Sequence, residues 1–186
     1  MLIAAQQGRA DIVALLLGLG MDVDVWDATE QRGLHNAVGN GAIDVVKLLI
    51  AHGADIDRPT TRFDGALGFA AHFDQREIAT LLAPLSRDVL NLTYLGMKDR
   101  LHELFATEPA LANAVDPRAG VTPLFCLPDD EDQAVEIAEL LLAHGADPLI
   151  RNKEGLTAEQ AARNRGLTDV ADLMRGLGDP PSLSAS

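Results

Sequence analysis

Five histidines are the residues of this 186-residue sequence that most readily suggest a metal or catalytic site. Neutral imidazole is a common metal ligand and a common general base. His72 and His102 have no second ligand at helical spacing, and His52 and His144 occupy the same place in two copies of the segment Ala-His-Gly-Ala-Asp. They recur because that segment recurs. We therefore expect structural or solvated histidines and no metal site.

An acidic run at 129–132, Asp-Asp-Glu-Asp, is the second candidate for a cation site. It lacks the alternating oxygen ligands and the central glycine of a calcium loop. We expect a solvated loop, and docking of a basic partner to this run stays open as an alternative.

Cys126 is the only cysteine, which excludes an intramolecular disulfide and agrees with a reducing compartment. It lies between Phe125 and Leu127, where we expect a buried small side chain in a first helix rather than a nucleophile, because the sequence places no His or Asp partner beside it. The Gly18/Gly20 and Gly39/Gly41 pairs are typical of helix ends and not of phosphate loops. We predict no catalytic residue, no cofactor and no enzyme activity.

Charge and hydropathy exclude other classes of function. The formal net charge is -13, and such a field repels phosphate backbones, so we expect no nucleic-acid partner. No apolar run approaches the ~18 residues of a membrane helix, and the N-terminus lacks the basic region of a signal peptide. We expect a monomeric cytoplasmic protein.

The elements that position these residues repeat along the chain. The segment from Gly33 to Asp57 is the most regular copy, and its glycine at 53 matches Gly20, an offset of 53 minus 20, or 33 residues. The segment 136–147 is nearly the same sequence again. A fixed period of this length with helical patterning inside each unit indicates a stacked array of repeats.

The motif that opens each unit identifies the type of repeat. One copy keeps the Leu, His and Ala of T-P-L-H-x-A as Leu34, His35 and Ala37, and another contains Thr122-Pro123-Leu124. The chain therefore resembles the ankyrin repeat family. The resemblance implies an all-α solenoid of helix-turn-helix pairs joined by β-hairpin or loop fingers, in about six units of a diverged, bacterial-type array. An acid is expected in the first turn of every second helix, at Asp11, Asp44, Glu77, Asp99, Glu136 and Asp169.

Departures from the repeat predict the domain organisation. Met1 falls inside a first helix, so we expect that the natural protein extends upstream or that this end frays. Eleven residues are absent before Tyr94, about the length of a finger. We therefore divide the chain into repeats 1–3 at 1–88, repeats 4–6 at 89–178 and a disordered tail at 179–186.

Two helix caps and one insertion are also expected. Ser86 would cap the fourth unit's first helix, and Thr122 would cap the fifth unit's, ahead of Pro123. From Leu127 to Gly145 the fifth unit spans 18 residues, against 16 from Ala37 to Gly53, which indicates two inserted residues at the acidic run.

The resemblance also implies the function and its surface. Ankyrin arrays bind other proteins through a concave groove formed by the fingers and the first helices, which makes this chain a protein-protein interaction module. Its partner is unidentified, and an acidic inhibitor or immunity-type subunit of one enzyme is the alternative. Positions that match the groove of the family are Trp26, Thr29, Gln31, Asn40, Thr61, Arg62, His72, Phe73, Tyr94, Arg151 and Lys153. Two aromatics have a second interpretation, in which Trp26 covers its own hairpin and Tyr94 fills the space of the missing finger.

Overall fold

The structure, a computed structural model, describes residues 1–60 and 65–178, and their regular secondary structure is helical apart from two isolated antiparallel bridges. The α-helices are α1 (Leu2–Gln6), α2 (Ala10–Gly18), α3 (Gly33–Gly39), α4 (Ile43–Ala51), α5 (Ala66–His72), α6 (Arg76–Leu82), α7 (Val89–Tyr94), α8 (Lys98–Thr107), α9 (Glu131–Ala143), α10 (Ala158–Asn164) and α11 (Thr168–Gly178). Three 3-10 helices span Ala83–Leu85, Pro109–Asn113 and Pro123–Phe125. The predicted all-α class is confirmed.

The helices form pairs, each with a short first helix and a second helix. A glycine with positive φ separates α1 from α2 and α3 from α4, and Asp74 takes its place between α5 and α6 with φ of 52°. Asp tolerates the left-handed conformation better than most residues do, as the sequence predicted for this position. Each first helix thereby packs against the second helix of its pair.

Residue contacts divide the chain into two compact units, Met1–Asp88 and the part that begins at Val89. In the first unit α1, α3 and α5 pack side by side, and α2 packs on α4. The second unit has α9 packed on α11 and α10 packed on α11. Alanines and leucines fill both cores, which lets short helices approach closely.

Polar side chains at the end of one repeat hold the backbone of the next. The carboxylate of Asp24 accepts the N–H of Asp55 at 3.2 Å. Asp57 accepts the Ser86 hydroxyl and, at 2.8 Å, the N–H of Arg87.

Asn113 has the same role in the second unit. Its Nδ2 donates to the Gly145 carbonyl and its Oδ1 accepts the Asp147 N–H, both at 2.7 Å. These bonds fix the register between stacked repeats.

The fingers are hairpin-like turns, as predicted for the linker between α2 and α3. Trp26 and Arg32 form one antiparallel bridge, and Arg151 and Thr157 form the other. The turn of the first finger is closed by Asp27, whose Oδ1 accepts the backbone N–H of Thr29 at 2.8 Å. A carboxylate that accepts local backbone donors in this way stabilises a tight turn.

Both predicted caps were wrong. Helix α7 begins at Val89, three residues after Ser86, and the Ser86 hydroxyl donates to Asp57 and accepts the Asp88 N–H at 3.1 Å. Thr122 Oγ1 is buried and has no hydrogen-bond partner within the described residues. The N–H of Phe125, the donor that a cap would use, bonds the Thr122 carbonyl instead at 2.9 Å, because the helix here is a single 3-10 turn.

The insertion in the fifth unit changes two further expectations. Helix α9 begins at Glu131 because Asp130 caps it, accepting the N–H of Gln133 at 3.0 Å. Glu136 consequently lies in the middle of the helix and not in its first turn. Cys126 follows the 3-10 turn and is half-buried, not enclosed within a first helix.

Candidate protein-binding site

The candidate site lies on the first unit, on the face that carries the finger 26–32 and the C-terminal ends of α3 and α5. We call it the finger face. Trp26 is 60% exposed and Phe73 is 45% exposed. Trp26 lies in the first finger, and Phe73 lies in the turn between α5 and α6. In a chain with one Trp and five Phe residues, two large exposed aromatics on one unit mark a surface suited to contact.

Trp26 and Phe73 are the two ends of one continuous series of contacts. The Arg32 guanidinium lies 5.6 Å from the Trp26 ring centroid, and the Arg32 N–H donates to His35 Nδ1 at 3.1 Å. The His35 ring is 5.0 Å from the Phe69 ring, which is 5.9 Å from the Phe73 ring. Because the intervening side chains are buried, the two exposed aromatics belong to one rigid surface.

His35 is the fixed centre of this series. Nδ1 accepts the Arg32 N–H, so the proton of the neutral ring is on Nε2, which donates to the Arg58 carbonyl at 3.2 Å. Burial lowers the pKa of His35 from 6.5 to about 4. The imidazole therefore remains neutral at physiological pH and joins the backbones of two successive repeats.

A cavity of about 380 Å³ opens beside Trp26 and is lined by Trp26, Glu30, Arg32, Arg58 and Pro59. Glu30 adopts a positive φ of 62° at the tip of the finger. Trp26 was predicted for the site, and Pro59 also lies at a position that matches the groove of the family, whereas Glu30, Arg32 and Arg58 were not predicted. One feature of the sequence could have identified Arg32 as a site residue. It occupies the Thr position of the T-P-L-H-x-A motif, where a basic residue is unexpected.

The remaining predicted residues of the first unit differ in their availability. The Thr29 hydroxyl and the Gln31 backbone N–H both donate to Asp27, and Asn40 Nδ2 donates to the Asn36 carbonyl at 2.9 Å. The His72 ring packs edge-on against Phe73 at 4.8 Å between centroids. Thr61 and Arg62 lie outside the described residues.

In the second unit, three predicted contact residues already have intramolecular partners. Arg151 donates to the Gly155 carbonyl at 2.7 Å, and Lys153 Nζ donates to the Pro117 carbonyl at 2.6 Å. The Tyr94 hydroxyl donates to Asp129 at 3.5 Å. These side chains support neighbouring fingers and loops, so they form a weaker candidate surface than the finger face does.

The acidic run is also built into the second unit. Asp129 pairs with Arg165 at 2.7 Å, and Glu131 accepts the N–H of Asp169 at 2.7 Å near the start of α11. No group of three or more His, Cys, Asp or Glu side chains suited to a metal ion lies within residues 1–60 and 65–178. The run therefore caps α9 and supports the start of α11. Asp129, Asp130 and Asp132 are exposed, as expected for a solvated segment, but Glu131 and Asp132 belong to α9 and not to a loop.

Comparison with known proteins identifies the family to which these repeats belong. The family description for ankyrin repeats in three copies matches residues 1–93, and that for a single ankyrin repeat matches residues 119–153. The chain belongs to the ankyrin repeat family. Its ankyrin array is 29% identical over 191 residues to the putative ankyrin repeat protein YahD of Escherichia coli K12, with 95% of this chain and 94% of that protein covered.

A solved structure shows the same ankyrin fold. The crystal structure of an ankyrin repeat domain from Acinetobacter baumannii AYE superposes with a TM-score of 0.66 at 23% identity, covering 95% of this chain and 96% of that one. Ankyrin repeats are in general protein-protein interaction modules. None of the helices in the described parts of this ankyrin chain is long and apolar enough to cross a membrane.

Proposed function

We propose that this ankyrin chain is a non-enzymatic module that binds one partner protein through the finger face of its first unit, with Trp26 and Phe73 as the main contacts. The observation that supports it is the series of contacts from Trp26 through Arg32, His35 and Phe69 to Phe73. Rigid aromatic anchors lose little conformational entropy when they bind. His72 and Asn40 lie beside Phe73 and at the end of α3, where they would contribute to the rim.

The experiment is site-specific photo-crosslinking in the source cell. A crosslinking amino acid replaces Phe73 in one variant and, as a matched control, the exposed Lys47 on the second helix α4 in another. We expect one specific protein to be captured from position 73 and not from position 47. Excess wild-type chain should compete for it, whereas the Trp26→Ala/Phe73→Ala double variant should not.

Stability must be measured on the same double variant. Exposed aromatics contribute little to folding, so we expect thermal unfolding close to that of the wild type and a loss of affinity of about 2 kcal/mol or more. A large drop in melting temperature with unchanged capture per folded molecule would show that the two rings are part of the core and that the partner binds elsewhere.

The acidic inhibitor or immunity-type subunit is a second candidate, and the net charge of -13 favours it. Binding by charge would weaken steeply as salt is added, whereas binding through the aromatic residues would not. Binding through the aromatic residues is favoured because one carboxylate oxygen of each of Asp129, Asp130 and Glu131 already accepts a hydrogen bond within the protein.

A further inference from the structure

Arg32 is a buried cation without an ion-pair partner in the parts of the chain that the structure describes. It is 6% exposed, and its Nη1 donates to the Glu30 carbonyl at 3.2 Å. Its Nε has no hydrogen-bond partner among the described residues, which also provide no ion pair to this guanidinium. An unpaired buried donor destabilises a fold. A buried donor without a partner is expected where the hydrogen-bond acceptor comes from a bound molecule outside the chain.

Arg58 brings a second positive charge to the same cavity. Both arginines line the space of about 380 Å³, with Trp26 and Pro59 as its apolar walls. One imidazole fixes their backbones, since His35 accepts the Arg32 N–H and donates to the Arg58 carbonyl. The backbones of the two arginines are therefore held in place before any ligand arrives, which lowers the entropy lost on binding.

We propose that this cavity binds the carboxylate side chain of a glutamate or aspartate on the partner protein, a step that rests on the function proposed above. Arginine presents its donors as a planar fork that matches a carboxylate in a bidentate pair. Nε and the adjacent Nη2 of Arg32 would supply that pair, and Arg58 would add charge. The walls formed by Trp26 and Pro59 would cover apolar neighbours of the acidic residue.

Charge selects a carboxylate over a phosphate. Glu30 also lines the cavity, so its charged side chains sum to one net positive charge, which one carboxylate would neutralise and a phosphate dianion would exceed. Glu30 is exposed, and solvent weakens its effect on a single negative charge. The cavity thus suits one negative charge.

Trp26 reports on the site. Nε of Arg32 is shielded from solvent, and the indole of Trp26 lies 5.6 Å from the guanidinium, so a carboxylate bound at Nε would change the surroundings of the indole. Trp26 is the only tryptophan in the chain, and its fluorescence comes from this cavity alone.

The test titrates the full chain with Ac-Leu-Glu-Leu-NH2 and follows Trp26 fluorescence. The matched peptide has Gln in place of Glu, and a third peptide has that Gln and a free C-terminal carboxylate. We expect the Glu peptide to bind about tenfold or more tightly than the Gln peptide, since hydrogen bonds to charged groups contribute about 1.5–3 kcal/mol. Equal affinity for Glu and Gln, or binding of the free-acid Gln peptide alone, would overturn the assignment.

Four variants distinguish binding at this cavity from a general effect of the charge of the chain. Arg58→Met and Arg32→Thr should each weaken the Glu peptide about tenfold, whereas Glu30→Gln should strengthen it. Arg76→Met is the matched control, because Arg76 pairs with Asp74 on the same unit at 3.0 Å, outside the cavity, and its loss should leave affinity unchanged. Wild-type affinity in both Arg58→Met and Arg32→Thr, with normal thermal unfolding, would overturn the proposal.

The crosslinking experiment keeps the two proposals apart. If position 73 still captures its partner in the Arg58→Met chain while the wild type ignores the Glu peptide, the carboxylate site fails and the finger-face function stands. If position 73 captures nothing specific, the function itself fails, whatever the peptide result.

Discussion

Arg32 and Trp26 are paired across the first finger by an antiparallel bridge, and the guanidinium of one lies 5.6 Å from the ring centroid of the other. The corresponding pair in the last finger is Thr157 and Arg151. In each finger an arginine donates to the carbonyl of the residue with positive φ at the tip, Glu30 or Gly155. The arginine is buried in the first finger and exposed in the last, and only the first has an unpaired buried donor among the described residues.

Replacing Arg32 with threonine should not lower stability. Thr157 shows what threonine does at this position, since it accepts the Gln160 N–H at 3.3 Å and caps α10. A cap contributes about 1 kcal/mol, and the substitution also removes an unpaired buried donor. We expect the melting temperature to stay the same or rise. Thr157→Arg is the reverse change and should lower the free energy of unfolding by about 1 kcal/mol. A clear drop in the melting temperature of Arg32→Thr would show that Arg32 has a structural role.

Acid should destabilise the first unit through His35. Its pKa in the fold is about 4, below the ordinary value of 6.5, so the unfolded chain takes up the proton first as the pH falls. The stabilisation is complete above pH 6.5 and is lost as the pH falls through 4, by about 3 kcal/mol in all. Urea unfolding from pH 7 to pH 4 measures it. Gln160 occupies the matching position of the last repeat, so His35→Gln is a suitable replacement. It should flatten the dependence of unfolding free energy on pH between 7 and 4. An unchanged pH dependence would show that other groups cause the effect.

Removing Asn113 should weaken the contact between the fourth and fifth repeats. Asn113→Ala deletes two hydrogen bonds of 2.7 Å to the next repeat, and we expect a loss of about 1–2 kcal/mol in free energy of unfolding. Asn113→Asp keeps the acceptor and should lose less. Asp24→Ala removes only longer bonds, of 3.2 and 3.3 Å, so a cost as large as that of Asn113→Ala would contradict this explanation.

Thr122→Val should leave stability unchanged or raise it by about 1 kcal/mol, because the Thr122 hydroxyl is buried without a partner in the described structure. Thr93 is the control. Its equally buried hydroxyl donates to the Val89 carbonyl at 2.6 Å, and Thr93→Val should therefore be destabilising. Equal losses in the two variants, measured by chemical denaturation, would show that Thr122 is hydrogen bonded in solution.

The amino-acid sequence by itself determined the helical repeats and their family. Helical periodicity, glycines at helix ends and the Leu-His-x-Ala motif are local signals, because the bonds that form a helix join residues within four positions of each other. The finger at 26–32 was predictable for the same reason, as was the positive φ of Asp74.

Only the tertiary structure decided which side chains remain available for binding. Lys153 donates to a residue 36 positions away, Arg165 pairs with Asp129 over 36 positions, and His35 bonds Arg58 over 23. These partners lie on adjacent repeats, so composition and spacing within one repeat could not identify them. Stacking occupies Lys153 and the acidic run, because each repeat completes the hydrogen bonds of its neighbour. The burial of Arg32 beside Trp26, with its Nε unpaired among the described residues, likewise became visible only in the folded finger.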